Sequence, residues 1–172
     1  MTQTLFDDWV KSAFFSTCGC YRYKLEREVA VNGIVIAYFG VNPSTAGAEK
    51  DDATSRKWIG FTKANGGRSY IAGNPFAFIS TNPSVLHRVV DPVGPENPRH
   101  LREIIEQSDL LVPCWGNRAK LPKTLWHHLD DLASLLKESG KPVKIFGLTK
   151  SGDPMHPLML GYDTQLIPWE GK

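Results

Sequence analysis

Cysteine is scarce in this sequence, and the scarcity excludes whole classes of protein. Its three cysteines, Cys18, Cys20 and Cys114, are an odd number and too few for a disulfide framework, which points to a reducing, cytoplasmic setting. Cys18 and Cys20 enclose one residue, not the two to four of a zinc-ligand pair, and no second pair follows. They read as structural thiols, and neither a metal nor another cofactor is expected. No apolar run approaches the ~18 residues of a membrane span. The stretch from Met1 to Asp8 has neither the basic start nor the apolar centre of a secretory signal. An excess of one charge is missing too. Lys and Arg number 20 against 18 Asp and Glu, a net +2 that excludes a massively basic nucleic-acid coat but permits a local basic patch.

What is present is an ordinary folded composition, 41% apolar and 22% charged over 172 residues, which suits one domain spanning residues 1–172. Leu5, Phe6, Trp9, Val10 and Phe14 fall near helical spacing and predict a helix over 4–15. Tyr21 to Val29 alternates as a strand, and Asn32-Gly33 reads as the turn of a hairpin into Ile34–Phe39, a continuous apolar run typical of a strand covered on both faces. A helix over 52–65 follows, with Trp58, Phe61 and Thr62 on one face, Asp51 or Asp52 as cap and Asn65-Gly66 as stop. Ser69–Ala72 is a short strand; a short helix, a loop with Pro92 and Pro95, and a helix opened by Asn97-Pro98 come next. Leu110–Val112 is a strand, Pro122 opens a long helix stopped by Gly140, and Val143–Leu148 is the last strand. The alternation predicts a three-layer α/β/α domain with a central, mostly parallel four-stranded sheet and an N-terminal hairpin.

In such a sheet ligands bind beyond the carboxyl ends of the strands, and here each strand runs into an unusual polar loop. The four are Gly40-Val-Asn42-Pro43-Ser44, Gly73-Asn74-Pro75-Phe76, Trp115-Gly116-Asn117-Arg118-Ala119 and Lys150-Ser-Gly152-Asp-Pro-Met-His156-Pro157-Leu158. Asn-Pro is a common turn initiator and Phe76 a common core residue; a histidine between Pro154 and Pro157 has no obvious core role. Their coincidence at successive strand ends predicts one site.

Gly40-Val-Asn42-Pro43 resembles the first motif of the uracil-DNA glycosylase superfamily, in the version with Asn in place of Asp. Trp115-Gly116 and His156-Pro157-Leu158 resemble its later segments. Asn-Pro-Ser-Thr-Ala, with Asp51-Asp52-Ala-Thr54 and Asp91-Pro-Val-Gly-Pro-Glu-Asn97, resembles more closely an uncharacterised bacterial and phage family over residues ~30–160. The superfamily resemblance implies a DNA glycosylase-like hydrolase acting on a damaged or modified base flipped from double- or single-stranded DNA, in repair or phage DNA modification or defence. A monomer with no metal and no membrane partner is expected.

Under the superfamily resemblance, Asn42 orients water and His156 donates to the departing base. Pro43, Ser44, Asn74, Phe76, Trp115 and Asn117 form the base site, with Phe76 stacking and Asn74 reading the base edge. Arg118, Lys120, Lys150 and Leu158 meet the DNA backbone, with Arg56 and Lys57 as further phosphate candidates. Asp51 or Asp52 could replace the missing carboxylate base, although helix capping is their simpler role. An Asn amide does not titrate, so two alternatives stand: action on free nucleosides or nucleotides, and a base-binding protein with little or no catalysis.

Overall fold

The computed structural model describes residues 9–171. Its centre is a five-stranded mixed sheet of β1 (Lys11–Phe15), β2 (Arg22–Glu28), β3 (Ile34–Phe39), β4 (Gly67–Gly73) and β5 (Leu110–Pro113), in the order β1-β2-β4-β3-β5. β3 lies parallel to β4 and to β5, whereas β2 is antiparallel to β4 and to β1. Among the described residues, three α-helices accompany the sheet: α1 (Ala53–Ala64), α2 (Asn97–Gln107) and α3 (His127–Glu138).

The unbroken apolar run of β3 has a simple cause: both of its faces are covered. Ile36 and Tyr38 join Trp58 and Phe61 of α1, together with Tyr70, in one cluster. Val35, Ala37 and Phe39, on the opposite face by the two-residue period, join Leu101 and Ile104 of α2 and Leu132 and Leu136 of α3 in another. Tyr38 and Trp58 stack at 5.6 Å between ring centroids. α1 begins where Asp52 Oδ1 accepts the Ser55 N–H at 2.8 Å and ends at Asn65, as its sequence signals indicate. Among the described residues, no helix is long and apolar enough to cross a membrane.

Four expectations need correction. Residues 4–8 lie outside the described residues, and 11–15 are not helical; they form the edge strand β1. Pairing with β2 and packing of Phe14 against Tyr23 and His100 override the local periodicity. Asn32-Gly33 does not close a hairpin of β2 with β3, because β4 is inserted between them: Val29 N–H donates to Arg68 O and Ile34 N–H to Gly66 O. The hairpin of the structure is β1–β2. Pro122 leads into a 3-10 turn at Lys123–Leu125, and α3 starts only at His127. The expected strand over 143–148 shrinks to β6 (Lys144–Ile145), paired with β7 (Ile167–Pro168) in a separate sheet and lying beside β5, which the preceding Val143 meets in an isolated parallel bridge to Leu111. Gly147, at φ +140°, turns the chain away there. The central sheet is therefore neither four-stranded nor mostly parallel.

Candidate functional site

Beyond the carboxyl ends of β3, β4 and β5 lies a cleft of about 180 Å³. Gly40, Asn42 and Ser44 line it from the loop after β3, Asn74 from the loop after β4, and Trp115, Lys120 and His156 from the later loops. Two glycines let the loops converge. A Cβ on Gly40 would stand 3.1 Å from Asn74 Oδ1, and one on Gly116 would stand 3.2 Å from His156 Cβ.

His156 is the best-defined group. Its Nδ1 accepts the backbone N–H of Leu158 at 3.2 Å, so the neutral ring carries its proton on Nε2. Burial, aided by the Lys120 ammonium and opposed by Asp52, lowers its pKa to about 4. At neutral pH it is an uncharged hydrogen-bond donor.

Asn42 is held differently from expectation. Its Nδ2 donates to Ser80 O at 2.8 Å and to Pro43 O at 3.1 Å, tying the loop after β3 to the segment over 78–80. Oδ1 is the atom left to meet a ligand. Asn74 is 3% exposed, and its backbone carbonyl accepts from Asn97 Nδ2 at 2.8 Å. Asn74 Nδ2 is buried without a hydrogen-bond partner, and so is Trp115 Nε1. Buried N–H groups without an acceptor are rare and each carries a desolvation cost.

Other expected residues lie elsewhere. Phe76 cannot be a stacking platform: it is wholly buried in the core shared with α2 and α3, edge-on to His128 at 5.1 Å. Pro43 is buried and contributes its carbonyl to Asn42 and Ser80. Asn117 caps the 3-10 turn Arg118–Lys120 by accepting from Ala119 N–H. Arg118 is not available to phosphate, since Nε binds Asp153 at 2.8 Å and Nη2 binds Asp130 at 3.0 Å. Arg56 donates to Asp51 O and Lys57 to Leu160 O. Lys150 is exposed on a turn outside the cleft lining, and Leu158 is exposed on the 3-10 turn Pro157–Met159. Asp51 pairs with the buried Arg27 at 2.9 Å and is excluded as a base. Asp52 is both the α1 cap and a wall of the cleft.

Arg22 falls on the charged side of the β2 alternation, with Lys24 and Glu26, yet it is 4% exposed and lines the cleft. Its Nη1 donates to Ala46 O at 2.7 Å, and burial lowers its pKa to about 10, with Asp52 opposing, so it stays charged at neutral pH. No local signal marks it, because burial on that face follows from the chain folding over β2. A larger hollow of about 380 Å³ adjoins Trp115, Arg118, Asp130 and Trp169, but its Arg118 and Asp130 already satisfy one another. His127, His128 and Asp131 bring one ligand atom each within 4.8 Å and could hold a divalent cation, yet none of them lines the cleft.

Residues 22–158 match the model of a family described as "Protein of unknown function (DUF1643)". No curated protein and no solved structure matches the chain. The resemblance to the uracil-DNA glycosylase superfamily is corrected by this result: the family match takes in the Asn42, Trp115 and His156 motifs together and is not to a glycosylase family.

Proposed function

The chain belongs to the DUF1643 family, whose description names no reaction, and from its own cleft we propose that it is a hydrolase breaking the N-glycosidic bond of a nucleobase held there. The observation that carries this reading is the pairing, in one cleft, of a neutral His156 with its proton on Nε2 and a buried Asn74 amide without an acceptor. Cleavage leaves negative charge on the departing base, and a fixed donor is most useful where that charge develops. The Asn74 donor suits a carbonyl on the base edge. Asn42 Oδ1 and the Asp52 carboxylate are the acceptors for an attacking water, and Asp52 is the one able to take its proton.

Free nucleosides or nucleotides are the favoured carriers of the base. Arg56, Lys57 and Arg118 make contacts within the chain, and the cations that line the cleft itself are Lys120 and Arg22, which supports a small charged ligand. The test is base release, followed by chromatography, from a panel of nucleosides, nucleotides and base-modified oligonucleotides. Release from the free compounds is expected. Release from oligonucleotides alone would move the substrate to DNA, and binding without release from either would make this a base-binding protein.

A further inference from the structure

The Cys18-Gly19-Cys20 segment takes no part in the cleft, and both of its thiols are exposed at the β1–β2 turn. Gly19, at φ +73°, folds the segment so that Cys18 Sγ lies 3.3 Å from Ser16 Oγ and accepts the Cys20 N–H at 3.4 Å, while Cys20 Sγ is 3.7 Å from Cys18 O. We propose that Cys18 and Cys20 form a thiol–disulfide exchange site for low-molecular-weight disulfides, coupled to the cleft through the segment over 77–80.

The two sulfurs are chemically unequal. The Ser16 hydroxyl and the Cys20 N–H stabilise a thiolate on Cys18 and lower its pKa, whereas the Cys18 sulfur raises that of Cys20. Cys18 thiolate attacks one sulfur of a disulfide RS–SR, forming Cys18–S–SR and releasing RS⁻. Cys20 then gives its proton to solvent and attacks Cys18 Sγ, forming the Cys18–Cys20 bond and releasing the second RS⁻. Two protein thiols are oxidised and one disulfide is reduced to two thiols. Cys114 stays out of the reaction, since it is wholly buried and burial pushes its thiol up to about 12.

Closing this bond draws Cys18 Sγ, which now meets Ser16 Oγ and the Cys20 N–H, onto Cys20 Sγ, so the turn must rearrange. Its next contacts are with the segment over 77–80: Cys20 O accepts Ile79 N–H at 3.0 Å and Arg22 N–H donates to Ala77 O at 3.0 Å. The neighbouring carbonyl of Ser80 anchors Asn42, and Arg22 itself lines the cleft.

The whole chain is equilibrated in oxidised and reduced glutathione at varied ratios, quenched by alkylation and weighed intact. The expected product has one internal disulfide and an alkylatable Cys114 after unfolding. Cys20→Ser should halt at a stable glutathione adduct on Cys18, and Cys18→Ser should react about tenfold or more slowly, as expected of a less ionised thiol. Wild-type protein that gains glutathione but never the internal bond overturns the exchange site, as does Cys18→Ser reacting as fast as Cys20→Ser. Hydrogen exchange at the Ile79 amide should quicken on oxidation; unchanged exchange there overturns the coupling.

Discussion

Leu158 donates its backbone N–H to Nδ1 of His156 across 3.2 Å, and that bond decides which nitrogen of the ring faces chemistry. With Nδ1 occupied as an acceptor, Nε2 must keep the proton. A ring whose pKa is lowered to about 4 holds this tautomer across the neutral range. The backbone of Leu158 thus fixes the tautomer of His156, while burial keeps the ring neutral.

The pH dependence of stability should follow. The ordinary imidazole value of 6.5 applies to the unfolded chain, and the folded value is lower. Between the two, the unfolded chain binds more protons, so stability falls as pH drops from 6.5 toward 4. The contribution has a ceiling of roughly 3 kcal/mol. Denaturant unfolding at pH 7 and pH 4.5 should show a smaller acid loss in His156→Gln than in wild type. An equal loss in both would place the titration elsewhere.

In single-turnover base release, His156→Ala should slow the chemical step by ~10²–10³, the usual range for one transition-state donor. Binding should change little, because the charge that His156 meets exists mainly in the transition state. A variant with wild-type rate would remove His156 from the reaction.

Asn42→Asp should not speed the reaction, although the sequence invites that substitution as a route to a carboxylate base. Nδ2 of Asn42 donates to Ser80 O and Pro43 O, and a carboxylate there would face two carbonyl oxygens with no proton to offer. A stability loss on the order of 1–3 kcal/mol is expected. Thermal unfolding and single-turnover rates of the two proteins decide the matter; a faster and equally stable variant would show that the clamp is dispensable.

Asn74→Leu should separate stability from function. The Asn74 amide is 3% exposed and its Nδ2 has no partner, so an apolar side chain of similar size removes a buried unsatisfied donor. Unfolding should occur at equal or higher denaturant, with a gain of up to about 2 kcal/mol. Base binding, measured by quenching of tryptophan fluorescence, should weaken. A destabilised variant would mean that Asn74 Nδ2 has an acceptor in solution.

The legibility of the sequence tracks how local each cause is. β3 and α1 were readable because an apolar run, the Asp52 cap and the Asn65 stop act within a few residues. β1 was not, because Phe14 is placed by cross-strand pairing and by His100 of α2, distant in sequence. The loops after β3, β4, β5 and β6 do bring Asn42, Asn74, Trp115 and His156 to one cleft. Phe76 escaped the pattern because Asn97 holds the Asn74 and Pro75 carbonyls and the next side chain packs in the core. Arg22 was hidden because its burial depends on what the loop carrying Ala46 lays over β2.

A pair of glycine substitutions can isolate one contact in the site. Gly116 and Gly140 both have positive φ, +76° and +71°. Alanine at either should cost about 1–2 kcal/mol in backbone strain alone. They differ in surroundings: nothing lies within 4 Å of a Cβ on Gly140, whereas one on Gly116 would press on His156 Cβ at 3.2 Å. Both variants should lose stability by denaturant unfolding, Gly116→Ala the more of the two. Gly140→Ala should keep the wild-type rate of base release, and Gly116→Ala should lose it by tenfold or more, as a displaced donor no longer meets the departing base. Equal rates in the two variants would show that the Trp115–Ala119 loop does not position His156.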